Sequence, residues 1–261
     1  MGRQKVTVKS RRETRKESRS KGRNTGEVIS MYPEDHDDNR IGMLKEKYDR
    51  SPLVPRNENQ RLYLEALMNQ PVTVATGEAG TGKTFLSTAH AADLLLEKEV
   101  DHIIVTRPVL TAEEDMGFLP GDIMEKFMPF FRPVYDVLKK RLGQGFLKYC
   151  LRPEIEKIEI APFSYMRGRT FENAVVILDE AQNVTASQMK LFLTRIGEDT
   201  TVIINGDVKQ CDLPKHIKSG LVDLLERIEK RNLNIPVIRF EEEDCVRSLT
   251  CSLALEIYRE E

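Results

Sequence analysis

The sequence predicts an α/β protein in which a mostly parallel β-sheet carries helices on both faces. From residue 57 onward, short runs rich in β-branched residues alternate with longer segments of helical periodicity. The interiors of these runs are mostly apolar, which is typical of strands buried on both sides in a parallel sheet. A glycine-rich turn at residues 77–84 joins the first run to the helical segment after it, and this strand–turn–helix order belongs to the same fold class.

The composition indicates one globular domain with appendages. The chain has 261 residues, of which 40% are hydrophobic and 31% are charged, as in ordinary globular proteins. No stretch approaches the 18 consecutive apolar residues of a membrane span, and the N-terminal residues lack the apolar run of a secretory signal. The four cysteines are scattered without C-x-x-C spacing. We therefore expect reduced thiols, no structural zinc, no membrane partner and a cytoplasmic location.

Residues 1–50 are predicted to be a flexible leader, and residues 51–261 the folded domain. The leader is polar and has no apolar periodicity, and two prolines mark its end. Its first 24 residues hold ten Lys and Arg against two Glu, a balance of +8, and the remaining 30 basic and 40 acidic residues give −10. Such an arm can contact a phosphate backbone or be a solvated tail that aids solubility. The sequence leaves both alternatives open.

The predicted elements follow one another along the domain. Helices are predicted at 59–69, 85–97, 220–230 and 249–258, with a mostly helical stretch at 111–142 that is interrupted near 117–121. Strands are predicted at 72–76, 102–106, 158–161, 174–178, 201–204 and 237–240. One further helix has a defined start, because Thr185 and Gln188 have the spacing of a capping box, and Gly197 is its predicted stop.

The turn after the first strand fits the pattern G-x-x-x-x-G-K-[ST] at every fixed position. Its residues are Gly77, Glu78, Ala79, Gly80, Thr81, Gly82, Lys83 and Thr84, and Phe85 follows them in the helix. Glycines let backbone N–H groups turn toward phosphate oxygens, and the helix start adds its positive dipole end. Lys83 can reach the β- and γ-phosphates, and the Thr84 hydroxyl can ligate Mg²⁺. The pattern predicts binding of ATP, or a close relative of it, with Mg²⁺; a structural glycine turn is the alternative.

A second chemical signal is the apolar run at 175–178, which ends in two carboxylates. Asp179 can hold the water shell of Mg²⁺ opposite Thr84, and Glu180 can orient and deprotonate an attacking water. The alternative is an acidic flank for the next helix. A Glu at this place favours hydrolysis over transfer of the phosphoryl group to a small acceptor molecule. It therefore argues against a small-molecule kinase.

A third signal is Gln210, in the polar turn that follows the strand at 201–204. Its side chain can contact the γ-phosphate or the attacking water and so report the nucleotide state to the rest of the fold. Taken without the other motifs, it would more often be an exposed Gln beside a Gly-Asp turn.

Together these motifs resemble the PhoH-like family of P-loop ATPases, which is related in core fold to superfamily 1 helicases. The matching segments are GEAGTGKT at 77–84, TRPV at 106–109, GFLPGD at 117–122, YMRGRT at 165–170, ILDEAQN at 177–183, FLTRIG at 192–197 and GDVKQCDLP at 206–214. The resemblance covers residues 55–258. It implies a single RecA-like domain with the residue roles given above, and it adds Gln60, which resembles the adenine-reading Gln of the helicase Q-motif.

The chain departs from the family pattern in two respects. Some relatives carry a nuclease-like or RNA-binding domain, which the 50-residue leader is too short to hold, so nuclease activity is not expected. Near the C-terminus the family often has an Arg followed by His, whereas Arg247 is followed by Ser248 here.

A single RecA-like domain lacks the arginine that a facing domain usually supplies to the transition state. We therefore expect a homo-oligomer, such as a hexameric ring, in which another subunit supplies it. The candidates are Arg167, Arg169 and Arg247, each of which, taken alone, is more typical of a surface or salt-bridged residue.

The expected function is ATP hydrolysis coupled to RNA or single-stranded DNA, in the manner of a helicase. Arg107 and Arg132 can line a path for a nucleic-acid strand beside the aromatic residues of 113–135, although phenylalanines at this spacing are more often core or subunit contacts. The alternative function is an ATP-dependent switch that binds a protein partner and moves no nucleic acid.

Overall fold

The computed structural model describes residues 48–108, 128–166 and 168–246, all within one compact unit, Glu46–Glu261. The basic arm and the rest of the leader to residue 47 lie outside the described residues. So do residues 109–127, which include the first half of the helical stretch predicted at 111–142, and the helix predicted at 249–258.

Six strands form one sheet in the described part of the chain. They are β1 (Val72–Gly77), β2 (His102–Arg107), β3 (Ile158–Pro162), β4 (Ala174–Leu178), β5 (Thr201–Gly206) and β6 (Val237–Phe240). Their order is β3-β2-β4-β5-β1-β6, and every neighbouring pair is parallel. Each strand begins where it was predicted and ends within two residues of the predicted end, which confirms the α/β class with a parallel sheet.

Helices cover both faces of this sheet, as predicted. The described helices are α1 (Glu58–Asn69), α2 (Lys83–Leu96), α3 (Arg132–Leu142), α4 (Gln144–Cys150), α5 (Ala186–Leu193) and α6 (Gly220–Lys230). Alternate residues of a strand point to opposite faces. Ile103 and Val105 of β2 therefore belong to the core formed with α1 to α4, whereas Ile104 belongs to the core formed with α5 and α6. Because both faces of the central strand β4 are buried, all five of its residues are apolar.

The two helices beside the P-loop, which is the turn at residues 77–84, begin earlier than predicted. α1 begins at Glu58, because the Asn57 side chain accepts the N–H of Gln60 and caps the helix. α2 begins at Lys83, directly after Gly82 in its left-handed conformation. The first N–H groups of α2 therefore belong to the P-loop itself.

The described half of the stretch 111–142 is helical, as predicted, with a 3₁₀ turn at Met128–Phe131 followed by α3. Helix α4 was not predicted, because its seven residues are too few to show a helical period. Among all residues that the structure describes, no helix is long and apolar enough to cross a membrane.

The predicted start of α5 is confirmed and its predicted stop is wrong. Thr185 and Gln188 form the capping box, but the helix ends at Leu193, four residues before Gly197. Gly197 instead donates its N–H to the carbonyl oxygen of Phe171 at 2.7 Å. A Cβ at Gly197 would lie 2.8 Å from that oxygen, so the glycine serves a close backbone approach.

Candidate nucleotide-binding site

Four strand ends surround a cavity of about 420 Å³. Parallel strands end at the same edge of a sheet, so residues that are distant in the sequence meet there. The P-loop follows β1, Arg107 ends β2, a carboxylate pair follows β4 and Asp207 follows β5. The lining residues are Ala79, Gly80, Gly82, Lys83, Thr84, Phe85, Arg107, Pro133, Val137, Asp179, Glu180, Gly206, Asp207 and Gln210.

Both conformation and space require a glycine at the start of the P-loop. Gly77 has a φ of +130°, which side chains rarely adopt, and a Cβ there would lie 2.0 Å from the carbonyl oxygen of Phe240. Phe240 is the last residue of β6, which pairs with β1. The loop therefore leaves the sheet in direct contact with the neighbouring strand.

Lys83 is folded back onto the loop that presents it. Its ammonium donates to the carbonyl oxygens of Gly77 at 2.6 Å and Glu78 at 2.7 Å, and the residue is 9% exposed. Burial lowers the pKa of Lys83, and the negative charges of Asp207 and Asp179 oppose this shift. A buried cation with nearby anions and backbone oxygens is ready to exchange those oxygens for phosphate oxygens.

Thr84 and Asp179 meet as the sequence predicted. The Thr84 hydroxyl donates to Oδ1 of Asp179 at 3.1 Å, and Asp179 is 3% exposed. Burial raises the pKa of the Asp179 carboxyl, while the Arg107 guanidinium lowers it. A hydroxyl oxygen and a carboxylate oxygen at this separation are the ligand types that Mg²⁺ takes from proteins.

Glu180 is held by partners on both of its carboxylate oxygens. Arg107 Nη2 donates to Oε1, and Gln182 Nε2 donates to Oε2 at 2.7 Å. Its backbone is in the left-handed region, with φ of 53°, where a non-glycine residue is strained. This conformation turns the chain directly after Asp179, so that adjacent residues both line the cavity.

Gln210 reaches the site through Asp207 and Gln182. Its Nε2 donates to Oδ2 of Asp207 at 2.9 Å, and the Asp207 N–H donates to Oε1 of Gln182 at 2.9 Å. Gln182 also donates to the carbonyl oxygen of Gln210 at 3.1 Å. The turn after β5 is thereby tied to the residues after β4, next to Glu180.

The sequence profile of the PhoH-like protein family matches residues 52–259. This chain belongs to the PhoH-like family. Protein PhoH of Escherichia coli (strain K12) is 58% identical over 262 residues, which cover 99% of this chain and 74% of that protein. A PhoH-like protein of Bacillus subtilis (strain 168) is 45% identical over 199 residues, which cover 76% of this chain and 61% of its own length.

The PhoH-like domain also has a structural likeness to the large terminase of a thermophilic bacteriophage. The TM-score is 0.51 at 11% sequence identity, over 80% of this chain and 51% of the terminase chain. At such identity the likeness concerns the fold alone, and it agrees with the RecA-like architecture. By family and fold, this chain is a RecA-like P-loop domain of the ATPase type.

Among the predicted nucleotide contacts of this PhoH-like domain, Gln60 lies behind the P-loop. It is 3% exposed, its Oε1 accepts the N–H of Arg56 at 2.9 Å, and its Nε2 donates to the carbonyl oxygen of Thr81 at 2.9 Å. Gln60 therefore braces the loop in this structure, and its contact with adenine stays a prediction. Phe85 lines the cavity and is 40% exposed, and Glu78 of the P-loop pairs with Lys209 at 2.8 Å.

Of the three candidate arginines the structure describes Arg169 alone, which is not among the residues that line the cavity. Arg167 and Arg247 lie outside the described residues. Arg169 pairs with Glu159 and stacks 5.2 Å from the ring centre of Phe171, as a surface arginine would. Its role in a neighbouring subunit stays a prediction.

Sequence reasoning missed three residues that the fold places at the site, namely Arg107, Asp207 and Gln182. The sequence suggested Arg107 only for a path that a nucleic-acid strand would follow, and that role stays a prediction. In the structure Arg107 ends β2, which pairs with β4 so that Thr106 lies opposite Leu178. The next residue of each strand, Arg107 and Asp179, must then be neighbours. The signal was present in the sequence but required the strand order.

Proposed function

We propose that this chain hydrolyses ATP in a Mg²⁺-dependent reaction. One observation carries the proposal, which is the meeting of the P-loop with the carboxylate pair, where the Thr84 hydroxyl lies 3.1 Å from Asp179. Lys83 and Glu180 line the same cavity. These residues would supply a phosphate cradle, two oxygens for a metal ion and a general base, and the family supports the same reaction class.

In the proposed reaction, the P-loop N–H groups and Lys83 bind the phosphates. Thr84 and Asp179 would hold Mg²⁺, which when bound would offset the negative charge of the phosphates. Glu180 orients the attacking water and accepts its proton, and Gln210 contacts the γ-phosphate or that water. The left-handed turn at Glu180 supports this role, because it directs a second carboxylate into the cavity beside the first.

We further propose that hydrolysis is coupled to RNA or single-stranded DNA in a helicase-like manner. The basic arm supports this coupling, since ten cations within 24 residues release counterions when they meet a phosphate backbone. The helicase-like core implied by the family supports it as well. A cytoplasmic location belongs to the same proposal.

The test is ATP turnover by the full chain with and without Mg²⁺, and with and without single-stranded RNA or DNA. We expect turnover to require Mg²⁺ and to rise with one of the polynucleotides. A variant that lacks residues 1–24 should keep its basal turnover but bind the polynucleotide more weakly, with a flatter salt dependence. Turnover that no polynucleotide changes would favour a protein-interaction switch instead, and no turnover at all would contradict the proposed reaction.

We also propose a ring-shaped homo-oligomer, such as a hexamer, whose active sites each receive an arginine from the neighbouring subunit. The candidates are Arg167, Arg169 and Arg247, and we would test Arg247 first. Mixing Arg247→Ala with Lys83→Ala subunits should restore part of the activity that each variant lacks. Mixtures that stay inactive, or a monomer that is fully active at every dilution, would contradict this assembly.

A further inference from the structure

Arg107 bridges three elements of the fold at the wall of the cavity. From the end of β2, its Nη1 donates to the carbonyl oxygen of Phe130 and its Nη2 donates to Oε1 of Glu180. The same Nη2 lies 3.8 Å from Oδ2 of Asp179, and the side chain is 20% exposed. The guanidinium is therefore anchored at one end by a backbone carbonyl and shared at the other end between two carboxylates.

The charges that line the cavity indicate what the Arg107 side chain can bind. Among the described residues that line it, the cations are Lys83 and Arg107, and the anions are Asp179, Glu180 and Asp207. A γ-phosphate brings further negative charge into this partly buried space, where repulsion between like charges is strong. Lys83 belongs to the P-loop side, so Arg107 is the cation that faces a γ-phosphate from the β2–β4 side.

We propose that Arg107 is a γ-phosphate sensor that acts within its own chain. Without a triphosphate, its Nη2 holds Glu180. A bound triphosphate takes over this Nη2 group and leaves Glu180 free to orient the attacking water. A diphosphate has no group at that position, and the Arg107–Glu180 pair stays closed. The inference rests on the proposed ATP hydrolysis and assigns a specificity role to a residue of the same site.

The shape of arginine suits this exchange. Its planar fork can keep the bond from Nη1 to the Phe130 carbonyl while Nη2 changes partner, and it matches phosphate oxygens well. Glu180 keeps an orienting contact when Arg107 leaves, because Gln182 Nε2 donates to its other oxygen at 2.7 Å. A lysine would supply charge at one point only and could not hold both groups.

The test compares the affinities for ADP and for a non-hydrolysable ATP analogue, both with Mg²⁺, by titration calorimetry on the full chain. For Arg107→Gln we expect the preference for the triphosphate over the diphosphate to fall about tenfold or more, since it loses a charge-assisted bond to phosphate. ADP affinity should stay within about threefold of wild type. Arg227→Gln, which breaks an exposed Arg–Asp pair, is the matched control and should change neither affinity.

A double variant separates this role from a merely structural one. If Arg107 acts only by holding Glu180, adding Arg107→Gln to Glu180→Gln leaves the triphosphate preference unchanged, and the inference is overturned. We expect the preference to fall in that background as well. Arg107→Lys keeps the charge at one point, and we expect it to recover part of the preference, which makes a folding defect in Arg107→Gln recognisable.

The two failures can be told apart. A wild-type chain that binds both nucleotides while Arg107→Gln shows the same preference contradicts the sensor alone. A wild-type chain that binds both nucleotides and never hydrolyses ATP contradicts the proposed reaction, and the affinity ratio still tests Arg107.

Discussion

One wall of the cavity is formed by the P-loop, residues 77–84, and we call it the P-loop wall. Its residues are held in place by backbone geometry and packing. Gly77 is in direct contact with the Phe240 carbonyl, and the Lys83 ammonium is bound by loop carbonyl oxygens. The opposite wall lies at the ends of β2 and β4, and we call it the charged wall. Its residues are held in place by contacts between charged and polar side chains. There Arg107 reaches Glu180, whose other oxygen is held by Gln182.

This difference teaches how the two walls divide the work. The P-loop wall is fixed by backbone contacts, so its rearrangement would cost much free energy. Such a rigid wall suits the binding of the phosphates that ATP and ADP have in common. A wall fixed by exchangeable ion pairs responds when the charge of a γ-phosphate arrives. We therefore expect changes on the P-loop wall to weaken nucleotide binding and stability, and changes on the charged wall to lower turnover or nucleotide discrimination without a loss of stability.

The largest expected effect is from Gly77→Ala, which tests whether the P-loop wall is fixed by shape. The added Cβ would lie 2.0 Å from the Phe240 oxygen at a φ of +130°. We expect the free energy of unfolding to fall by about 3 kcal/mol or more, with loss of nucleotide binding. Gly168→Ala is the control, because Gly168 has a φ of +76° but open space around it, so only about 1 kcal/mol should be lost. Equal losses in both variants would show that packing against Phe240 is unimportant.

A smaller effect is expected from Tyr63→Phe, which tests the support behind the same wall. The buried Tyr63 hydroxyl donates to Asn205 Oδ1 at 2.6 Å, Asn205 donates to Ser87 Oγ at 2.9 Å, and Ser87 Oγ donates to the Lys83 carbonyl oxygen at 2.9 Å. Leaving the Asn205 oxygen unpaired should cost about 1–3 kcal/mol in chemical denaturation and weaken ATP and ADP binding equally. Unequal weakening would argue that this relay senses the γ-phosphate. Tyr48→Phe, at a half-exposed residue, is the control.

On the charged wall we expect a gain in stability from Asp179→Asn, on the order of 1 kcal/mol at neutral pH, with loss of ATP turnover. Burial raises the pKa of this carboxyl above 3.8, so ionisation favours the unfolded state and the charge destabilises the fold at higher pH. The gain should shrink as the pH falls toward 3.8, as thermal unfolding at several pH values would reveal. Asp223→Asn is the opposite control, because Arg227 lowers that pKa and its removal should destabilise slightly. A loss of stability in Asp179→Asn at neutral pH would contradict this picture.

The smallest effect is expected from Lys209→Gln, which removes an exposed ion pair with the P-loop. Lys209 is 73% exposed and pairs with Glu78 of the P-loop, and exposed ion pairs contribute little and are screened by salt. We expect nucleotide affinity to change less than about threefold at low salt and to match wild type at high salt. A change that persists at high salt would mean that this pair belongs to the binding wall.

The P-loop wall was largely predictable from the sequence, and the charged wall only in part. The P-loop is one contiguous segment, so its spacing identifies Gly77, Lys83 and Thr84 without knowledge of the sheet. The role of Arg107 depends on the pairing of β2 with β4. The order of strands in a sheet cannot be predicted from the local periodicity of the sequence. For the same reason, the sequence could not predict that the Gln60 amide contacts the P-loop backbone, since only tertiary packing determines this.

The most direct test of this division of work measures ATP affinity and turnover together in Glu180→Gln and Lys83→Ala. For Glu180→Gln we expect binding of Mg²⁺–ATP within about threefold of wild type and a kcat lower by about 10²-fold or more, because only the general base is lost. For Lys83→Ala we expect the affinity itself to collapse. A Glu180→Gln variant with wild-type kcat, or one that loses ATP binding as Lys83→Ala does, would contradict the account.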